Sequence, residues 1–538
     1  MPTDQFVYSH LPPRSEWPVF LTLAREPQPE HAFNLVEQLL QGSLQQPWAD
    51  RPLFRSSSLS LTYREVLALV NQRVRVLVHD LQLQPGNRVL IRGGNSMGFA
   101  LAWLAVVKAG LIAVATMPML RAKELGDVIS QAQPVLALCD VTLLDDLLIA
   151  QSQYPAVLKQ VMCFNQTDDS DSLDSRSASH SVDDLPICTV ADDIALLAFT
   201  SGTTGKPKAA CHSHRQVWAA CQAWPKHVLQ ARSDDLVIGT PPLAFTFGLG
   251  GLLLFPMVAG ASVFFPEGSL TAERMVEVMA QAKCTVCYTA PTFYRQMAAF
   301  LQPSTLPDLR LCVSAGEALP VATRRLWFER TGIELLDGMG ATEMFHIFIS
   351  SPPGLAKAGS LGKVVPGYEA CVMDEHGHEV VHGVPGRLAV RGPTGCRYLN
   401  DARQSTYVQD GWNFPGDTVS QDADGYFFYH ARSDDMIVSS GYNISGPEVE
   451  DALLSHTAVA QCAVIGKPDA DRGMVVQAFC VLAPGNTGNT DMVKALQDHV
   501  KQHLAPYKYP RDIVFVDSLP RTATGKLQRY RLRQNTAS

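Results

Sequence analysis

The chain lacks three features that mark out large classes of protein. It has no excess of positive charge, since 44 lysines and arginines stand against 52 aspartates and glutamates. Nucleic acids and anionic membranes bind a basic face, so we expect neither as a partner. The first residues show no basic start followed by an apolar core, which argues against a secretory signal. The 12 cysteines follow no framework spacing, so we expect reduced thiols and a cytoplasmic protein.

Long uncharged runs are also scarce, with one exception at Leu236–Pro266. This stretch is long enough to span a bilayer. Pro241, Pro242 and Pro256 interrupt it, together with several glycines, and buried segments of a large α/β core have the same composition. We expect it to form short core elements, and a membrane span is the alternative.

Short apolar strands alternate with helices along most of the chain. Val89–Asn95 is a strand ending in a glycine turn, and Met97–Gly110 has the length of a helix. Pro134–Asp140 and Ile194–Thr200 are further strands, as are the runs VFFP, CTVCYTA and LRLCVSAG. This alternation predicts an α/β protein with parallel sheets covered on both faces. The acidic, serine-rich stretch Gln166–Leu185 is expected to be a solvated loop or linker.

A change of pattern near Arg432–Asp435 predicts a domain boundary. The following 100 residues or so alternate between strands and amphipathic helices, which is typical of a small α+β module. We therefore expect a large N-terminal domain at residues 1–432 and a small C-terminal domain at 433–538, with a hinge at about 432–435.

Small hydroxyls, glycines and lysines follow the strand Ile194–Thr200, in the sequence TSGTTGKPK. Glycines permit close backbone approach to phosphate oxygens, and a lysine supplies charge. A helix from about His212 would add its positive end. The spacing is not that of the common nucleotide loop, so the residues alone leave an ordinary turn open. The candidate phosphate ligands are Thr200, Ser201, Gly202, Thr203, Thr204, Gly205 and Lys206.

Four further motifs follow in order, and the five together resemble the adenylate-forming superfamily. They are TSGTTGKPK, SAGEALP at 314–320, DGMGATEM at 337–344, the segment 411–437, and PRTATGKLQRYRLR at 520–533. The segments GATEMFHIFISS and GPTGCRYLND are similar to those of benzoate and 2-aminobenzoate (anthranilate) CoA ligases. The resemblance implies a large domain of parallel-rich sheets between helices, a β-barrel-like subdomain, and a small mobile C-terminal α+β domain.

The resemblance also implies a reaction. ATP, supported by Mg²⁺, converts an aromatic carboxylic acid to an aryl-adenylate, and coenzyme A then takes the aryl group. The best match for the acid is 2-aminobenzoate. Alternatives are a benzoate–CoA ligase, an enzyme that loads a carrier protein, a nucleotide-sensing binding protein, and a membrane-embedded fatty-acid ligase. Family members are often monomers or homodimers.

Site residues are carried over where this sequence matches the motifs. Lys526 is expected to bridge the carboxylate and the α-phosphate, although the residues alone also fit a solvated basic tail. Glu343 is expected to support Mg²⁺, and Thr342 a phosphate oxygen. Asp417 and Arg432 are the expected ribose pair. The adenine side is expected to comprise Gly316, Glu317, Ala318, Asp337, Gly338 and Met339.

The remaining assignments concern the acid, the hinge and coenzyme A. Asp434 matches the hinge of the family, and the thiol channel is expected at Ser439, Ser440, Gly441 and Tyr442. Phe245 and Phe247 would point in opposite directions if their segment is extended. His346 is expected either to face the acid or to be an ordinary core histidine. The expected acyl pocket comprises Phe245, Thr246, Phe247, Gly340, Ala341 and His346.

Overall fold

The protein is described by a computed structural model covering residues 2–23, 27–28, 30–200, 207–302, 304–432, 435–439, 442–469, 472–521 and 527–536. The strands are β1 Pro52–Arg55, β2 Ser60–Thr62, β3 Arg88–Arg92, β4 Ile112–Thr116, β5 Leu136–Asp140, β6 Gln160–Phe164, β7 Ile194–Thr200, β8 Lys208–Ser213, β9 Leu236–Gly239, β10 Ser262–Phe264, β11 Val286–Thr289, β12 Leu311–Ser314, β13 Leu335–Gly340, β14 Ile347–Ser350, β15 Lys363–Val364, β16 Glu369–Met373, β17 Gly386–Arg391, β18 Val408–Gln409, β19 Trp412–Asn413, β20 Asp417–Gln421, β21 Phe427–Arg432, β22 Ile437–Ser439, β23 Tyr442–Ile444, β24 Val459–Asp469, β25 Gly473–Leu482 and β26 Asp512–Phe515. The α-helices are α1 Phe6–Ser9, α2 Tyr63–Arg75, α3 Met97–Lys108, α4 Ala122–Ala132, α5 Leu144–Gln153, α6 Leu173–Ala178, α7 His214–Gln222, α8 Thr246–Leu249, α9 Phe255–Ala259, α10 Ala272–Ala282, α11 Pro291–Met297, α12 Val321–Thr331, α13 Gln404–Tyr407, α14 Gly446–Leu454, α15 Thr490–His503 and α16 Arg529–Thr536.

Two large sheets are mainly parallel, as the alternation of strands and helices predicts. One has the order β15-β14-β13-β12-β11-β9-β10-β1-β2, and its strands from β13 to β1 run parallel. The other has the order β6-β5-β3-β4-β7-β8 and is parallel up to β7. Helix α3 is buried on nearly all sides, and its core cluster unites residues of both sheets. The fold class is therefore α/β, with helices flanking parallel sheets.

The segment after β7 differs from the prediction. We expected a helix from about His212, but Lys208–Ser213 forms β8 and pairs antiparallel with β7. Helix α7 begins only at His214, where the Ser213 side chain accepts a hydrogen bond from the Gln216 backbone and the Gln216 side chain completes a capping box. The positive end of a helix therefore does not follow the glycine-rich motif directly in the sequence. The apolar residues of β8 favour strand pairing, because they are buried on both faces.

Two smaller sheets complete the fold. Strands β16 to β21 form an antiparallel sheet of six strands, and β22 to β26 form a sheet of five. In the second of these, α14 and α15 cover one side of the long β24–β25 hairpin. The predicted succession of strands and helices beyond residue 435 is confirmed by these elements.

Two other expectations meet different outcomes. The run Leu236–Pro266 divides into β9, short helical segments and β10, as its prolines predicted. Among the described residues, no helix has both the length and the apolar character needed to cross a membrane. The stretch Gln166–Leu185 was predicted to be a solvated loop or linker, and most of it is exposed or half-buried. It also contains the helix α6, whose Leu173 is buried. Asp174 in this stretch forms an ion pair with the buried Arg73.

Candidate active site

Polar loops leave one edge of the nine-stranded sheet, where its parallel strands end. Strand β12 ends at Ser314 and is followed by Glu317, and β13 ends at Gly340 and is followed by Thr342 and Glu343. In parallel sheets, ligands bind at this carboxyl edge. The fold therefore brings together motifs that lie far apart in the sequence.

The carboxylate of Glu343 lies in a short helical turn, Thr342–Met344, and is 8% exposed. The phenol of Tyr398 donates a hydrogen bond to one of its oxygens. Lys208 Nζ lies 3.3 Å from the same phenol oxygen and 5.1 Å from the centre of the tyrosine ring. A lysine, a phenol and a carboxylate thus form a chain of hydrogen bonds that holds Glu343 in one orientation.

The backbone of this turn is also held from outside. His212 Nε2 donates to the Thr342 carbonyl over 2.8 Å, and Thr394 Oγ1 donates to the Met344 carbonyl over 2.7 Å. Burial lowers the pKa of His212 to about 4, so its ring is neutral at pH 7. Phe345 has a φ of +69°, which is uncommon for a residue with a side chain and persists only where the surroundings enforce it.

The expected ribose pair is brought together. Asp417 and Arg432 lie opposite each other in β20 and β21. Arg432 Nη1 is 3.3 Å from Asp417 Oδ1 and 3.4 Å from Oδ2. Gly416 has a φ of +84°, and a Cβ there would lie 3.0 Å from Arg432 Nη2. Glycine at this position therefore leaves room for the guanidinium beside the carboxylate.

The expected adenine side includes a buried acid on β13. Burial raises the pKa of Asp337 to about 6, and the guanidinium of Arg324, 3.6 Å away, opposes that shift. A Cβ on Gly338 would lie 2.6 Å from Ile347, and one on Gly340 would lie 2.7 Å from the His346 carbonyl. These glycines let β14 approach closely, and Met339 pairs with Ile349 between them.

The loop after β12 carries the other adenine-side candidates. Gly316 is exposed with a φ of +95°, and Ala318 is exposed as well. The carboxylate of Glu317 is hydrogen-bonded within the protein. Arg521 Nη1 donates to its Oε1 over 2.7 Å, and Thr292 Oγ1 donates to its Oε2 over 3.0 Å. Both carboxylate oxygens are therefore engaged within the protein.

Two residues of the expected acyl pocket, Phe247 and His346, belong to a group of five rings, which we call the aromatic cluster: Trp224, Phe247, Phe255, Tyr288 and His346. The His346 ring centre lies 4.5 Å from that of Phe255, 5.3 Å from that of Trp224 and 5.5 Å from that of Phe247. Phe247 also contacts Tyr288, at 5.8 Å. Phe247 is half-buried and the other four rings are buried, so Phe247 is the member nearest to solvent.

Three polar groups in the aromatic cluster have no hydrogen-bond partner within the described part of the chain. They are the ring nitrogens of His346, the hydroxyl of Tyr288 and the indole nitrogen of Trp224. Burial lowers the pKa of His346 to about 3, so the ring is neutral at pH 7. The backbone of Phe247 lies close enough to the ring to oppose this shift, but neither ring nitrogen has a hydrogen bond of ordinary geometry within the described residues. Buried polar groups are normally paired, so this cluster is suited to a ligand.

The remaining pocket candidates lie at the start of α8 and at the end of β13. The segment is not extended throughout, because Phe245 precedes α8 and Phe247 lies within it. The condition under which Phe245 and Phe247 would point in opposite directions is therefore not met. Thr246 is buried, and Ala341 is half-buried just before the Glu343 turn. Gly250 is also needed here, since a Cβ on it would lie 2.7 Å from the His346 ring.

Several predicted residues lie outside the described part of the chain. They are Ser201, Gly202, Thr203, Thr204, Gly205, Lys206, Asp434, Ser440, Gly441 and Lys526. Two predicted residues next to these gaps are described. Thr200 is the last residue of β7 and pairs with Lys208 of β8. Ser439 is the last residue of β22 and pairs with Tyr442 of β23. The roles of these residues stay predictions.

Sequence reasoning missed several residues of the site. Lys208 stands within the glycine-rich motif and Tyr398 within GPTGCRYLND, so their motifs were found but not their contact with Glu343. Trp224 and Tyr288 lie in segments that resemble ordinary core, and no local signal distinguishes them. Arg521 is the second residue of the C-terminal motif, and its partner Glu317 is 204 residues away.

A magnesium ion would fit this site through Glu343. One oxygen of its carboxylate takes the Tyr398 hydrogen bond, which leaves the other oxygen able to bind a cation. Mg²⁺ keeps several waters and takes few protein carboxylates together with phosphate oxygens. The described residues contain no group of three or more His, Cys, Asp or Glu side chains placed to hold a metal, and a single carboxylate agrees with that preference.

Comparisons with known proteins agree with this geometry. The family described as AMP-binding enzyme matches residues 43–398, and the AMP-binding enzyme C-terminal domain matches 448–526. A benzoate–CoA ligase of Thauera aromatica is 34% identical over 506 residues, 93% of this chain and 96% of that protein. A 3-hydroxybenzoate–CoA ligase of Aromatoleum sp. is 31% identical, with 94% and 97% covered.

Solved structures give the same result. An anthranilate CoA ligase in complex with anthranoyl-AMP matches with a TM-score of 0.89 and 33% identity, covering 94% of this chain and 98% of that one. A benzoate CoA ligase from Burkholderia xenovorans matches with a TM-score of 0.84 and 30% identity, covering 93% and 100%. The chain therefore belongs to the adenylate-forming, AMP-binding enzyme family and lies near the benzoate and anthranilate CoA ligases.

Proposed function

We propose that the protein is an ATP-dependent, AMP-forming aryl-CoA ligase whose preferred acid is 2-aminobenzoate. The acid carboxylate attacks the α-phosphorus of ATP and releases pyrophosphate. The thiol of coenzyme A then attacks the aryl-adenylate carbonyl and releases AMP. Residues 1–432 are the proposed large domain, which binds ATP and the acid, and residues 433–538 are the proposed small domain, which carries Lys526.

The aromatic cluster supports an aromatic acid. Flat rings stack or meet edge to face at centroid separations of about 4.5–7 Å, and the spacings around Phe247 and His346 fall in that range. The relatives act on ring carboxylates by name, namely benzoate, 3-hydroxybenzoate and anthranilate. Flat side chains of this kind suit a benzene ring better than a flexible fatty-acid chain.

The observation that carries the preference for 2-aminobenzoate is the state of His346. Its ring is buried and neutral, and neither ring nitrogen has a hydrogen bond of ordinary geometry to the described residues, although the backbone of Phe247 lies close by. A neutral imidazole has one nitrogen that accepts a hydrogen bond, and an aromatic amine is a donor. Leaving a buried polar group unpaired costs about 1–3 kcal/mol, so a ligand that pairs with His346 gains relative to plain benzoate.

The other site residues have proposed roles that follow from charge. Two anions, the acid and ATP, meet in the first step, so positive charge must lie where negative charge develops. Lys526 supplies it between the carboxylate and the α-phosphate. When bound, Mg²⁺ would neutralise phosphate charge beside Glu343. Asp417 accepts hydrogen bonds from the ribose hydroxyls, and Arg432 holds that carboxylate in place.

The experiment is a product assay by mass spectrometry. Purified protein is mixed with ATP, Mg²⁺ and one acid from a panel of benzoate, 2-aminobenzoate, 2-hydroxybenzoate and a medium-chain fatty acid, with and without coenzyme A. We expect 2-aminobenzoyl-CoA to form fastest. Equal or faster thioester formation from benzoate would move the proposal to a benzoate–CoA ligase. An adenylate that accumulates and never passes to coenzyme A would move the acceptor to a carrier protein.

A variant tests the role of His346 directly. His346→Phe keeps a flat ring and removes the acceptor nitrogen. Loss of one hydrogen bond of about 1–1.5 kcal/mol predicts an approximately tenfold lower ratio of kcat/KM for 2-aminobenzoate over benzoate. An unchanged ratio would show that the ring amine does not meet His346.

A further inference from the structure

Polar contacts between described residues join the two proposed domains. Arg295, on α11, donates to the carbonyls of Leu454 and Val459, each over 3.3 Å. The backbone nitrogen of Ala322, at the start of α12, donates to Asp451 over 3.2 Å. These contacts lie on the side of the nine-stranded sheet from which the β12 loop leaves.

One contact is an ion pair between side chains. Arg521 Nη1 lies 2.7 Å from Glu317 Oε1, and Thr292 Oγ1 donates to the other oxygen of Glu317 over 3.0 Å. The side chain of Arg521 is 24% exposed and that of Glu317 is 18% exposed. Arg521 also lies 3.4 Å from Gln461 Oε1 of its own domain. The guanidinium therefore joins the small-domain sheet to the loop after β12.

The backbone around Arg521 makes this contact relevant to the site. Arg521 forms an antiparallel bridge with Leu527, and the Gln528 nitrogen donates to the Pro520 carbonyl over 2.9 Å. These pairs hold Arg521 and Leu527 next to each other, and in the sequence these two residues stand on either side of the stretch that contains Lys526. Leu527 in turn packs on the core cluster of the small domain. A change in the position of Arg521 therefore also affects Leu527, the residue that follows Lys526.

Because the Arg521–Glu317 pair is partly buried, breaking it costs free energy. Burial raises the pKa of Glu317, and the charge of Arg521 opposes that rise. Breaking a partly buried pair leaves a carboxylate with poor solvation, which costs more than loss of an exposed pair. The ion pair therefore favours one placement of the small domain over others.

We propose that the Arg521–Glu317 ion pair is an interdomain clasp that favours adenylate formation over thiol transfer, through its hold on Arg521 and Leu527, which stand on either side of Lys526 in the sequence. The inference rests on the proposed two-step function. Arg521 acts as a positioning residue, because its effect on the reacting atoms passes through the chain to Lys526. The adenylation step needs a cation at the α-phosphate, whereas the thiol step needs the carbonyl of a preformed adenylate.

The test separates the two half-reactions in Arg521→Ala, Glu317→Gln and the exchanged pair Arg521→Glu with Glu317→Arg. Adenylate formation is followed by acid-dependent exchange of labelled pyrophosphate into ATP. Thiol transfer is followed by thioester formation from supplied aryl-adenylate and coenzyme A. Lys467→Ala is the matched control, because Lys467 pairs with Asp512 over 2.8 Å wholly within the small domain.

We expect Arg521→Ala to slow pyrophosphate exchange by about tenfold to a hundredfold, the effect of misplacing a catalytic group by about 1 Å. Thiol transfer should stay within about threefold of wild type, since the cost falls on one step. The exchanged pair should recover part of the loss, and Lys467→Ala should leave both rates near wild type. Equal losses in both half-reactions, or no loss in exchange, would overturn the clasp.

A second measurement does not depend on activity. Amide hydrogen exchange is compared between wild type and Glu317→Gln for the peptide that begins at Leu527. A clasp predicts faster exchange there, although the substitution lies in the other domain. If wild type forms no adenylate from any acid, the proposed function fails, while faster exchange would still support the clasp. Unchanged exchange in an active enzyme would refute the clasp alone.

Discussion

The hydrogen bond between Tyr398 and Glu343 gives a sharp test of how the site is held. Tyr398→Phe removes one oxygen and keeps the ring, so Lys208 retains its ring contact at 5.1 Å. The change leaves the Glu343 carboxylate, which is only 8% exposed, without its phenol donor. Lys208 also loses the acceptor that lies 3.3 Å from its Nζ. The substitution therefore disconnects all three groups without creating a cavity.

The magnitude follows from the charge on the acceptor. A hydrogen bond to a charged group contributes about 1.5–3 kcal/mol. If Glu343 must hold its orientation during adenylate formation, this energy corresponds to a loss of roughly 10- to 150-fold in kcat/KM for Mg·ATP. The assay is acid-dependent pyrophosphate exchange across a series of Mg·ATP concentrations, with the thermal unfolding midpoint measured in parallel.

Tyr407→Phe is the matched control. Its ring lies 5.7 Å from that of Tyr398, and its hydroxyl is buried without a partner among the described residues. Removing an unpaired buried hydroxyl is expected to be neutral or slightly stabilising. Adenylate formation in this variant should therefore stay near the wild-type rate. Wild-type kinetics in Tyr398→Phe, or equal damage in both variants, would refute the reasoning.

Three further predictions follow from the site and its surroundings. Lys526→Ala should lower adenylate formation by orders of magnitude and spare thioester formation from supplied adenylate, and equal loss in both assays would contradict its assigned role. Gly250→Ala places a Cβ 2.7 Å from the His346 ring, so we expect an overpacking cost of about 1–3 kcal/mol in thermal unfolding, with a wild-type melting temperature as the contrary result. His212, His214 and His346 have pKa values lowered to about 4, 3 and 3 by burial. The unfolded chain takes up these protons first, so stability should fall as the pH drops below about 6.5, by about 2 kcal/mol per histidine at pH 5. A melting temperature that is unchanged between pH 7 and pH 5 would contradict it.

Local pattern determined the fold class and the order of elements. Short apolar runs alternating with helices predicted β3, β5, β7, β10, β11 and β12, and all are present. Helix α3 was predicted to extend to Gly110, and it ends at Lys108 just before that glycine, whose φ is +71°. Such features depend on neighbouring residues, so periodicity and turn chemistry are sufficient to find them.

The sequence pattern did not predict which distant segments pair with each other. The residues Lys208–Ser213 were taken as loop and helix start, and they became a strand because β7 offered an apolar edge. The motifs at Ala341–Met344 and 392–401 were each recognised, but nothing in either says that Tyr398 bonds Glu343. The same holds for Phe247 and His346, which meet only after α8 and β14 pack together.

The sequence by itself therefore determined the chemistry this protein is equipped for, through motifs whose residue types and order have few other uses. The tertiary structure decided which groups are paired and which are left for a ligand. Glu317, a candidate for the adenine side, accepts a hydrogen bond from Arg521. By contrast, the ring nitrogens of His346 are buried and have no hydrogen bond of ordinary geometry among the described residues. The physical reason is that burial and hydrogen bonding depend on contacts between residues far apart in the chain, which the spacing of residue types along it does not encode.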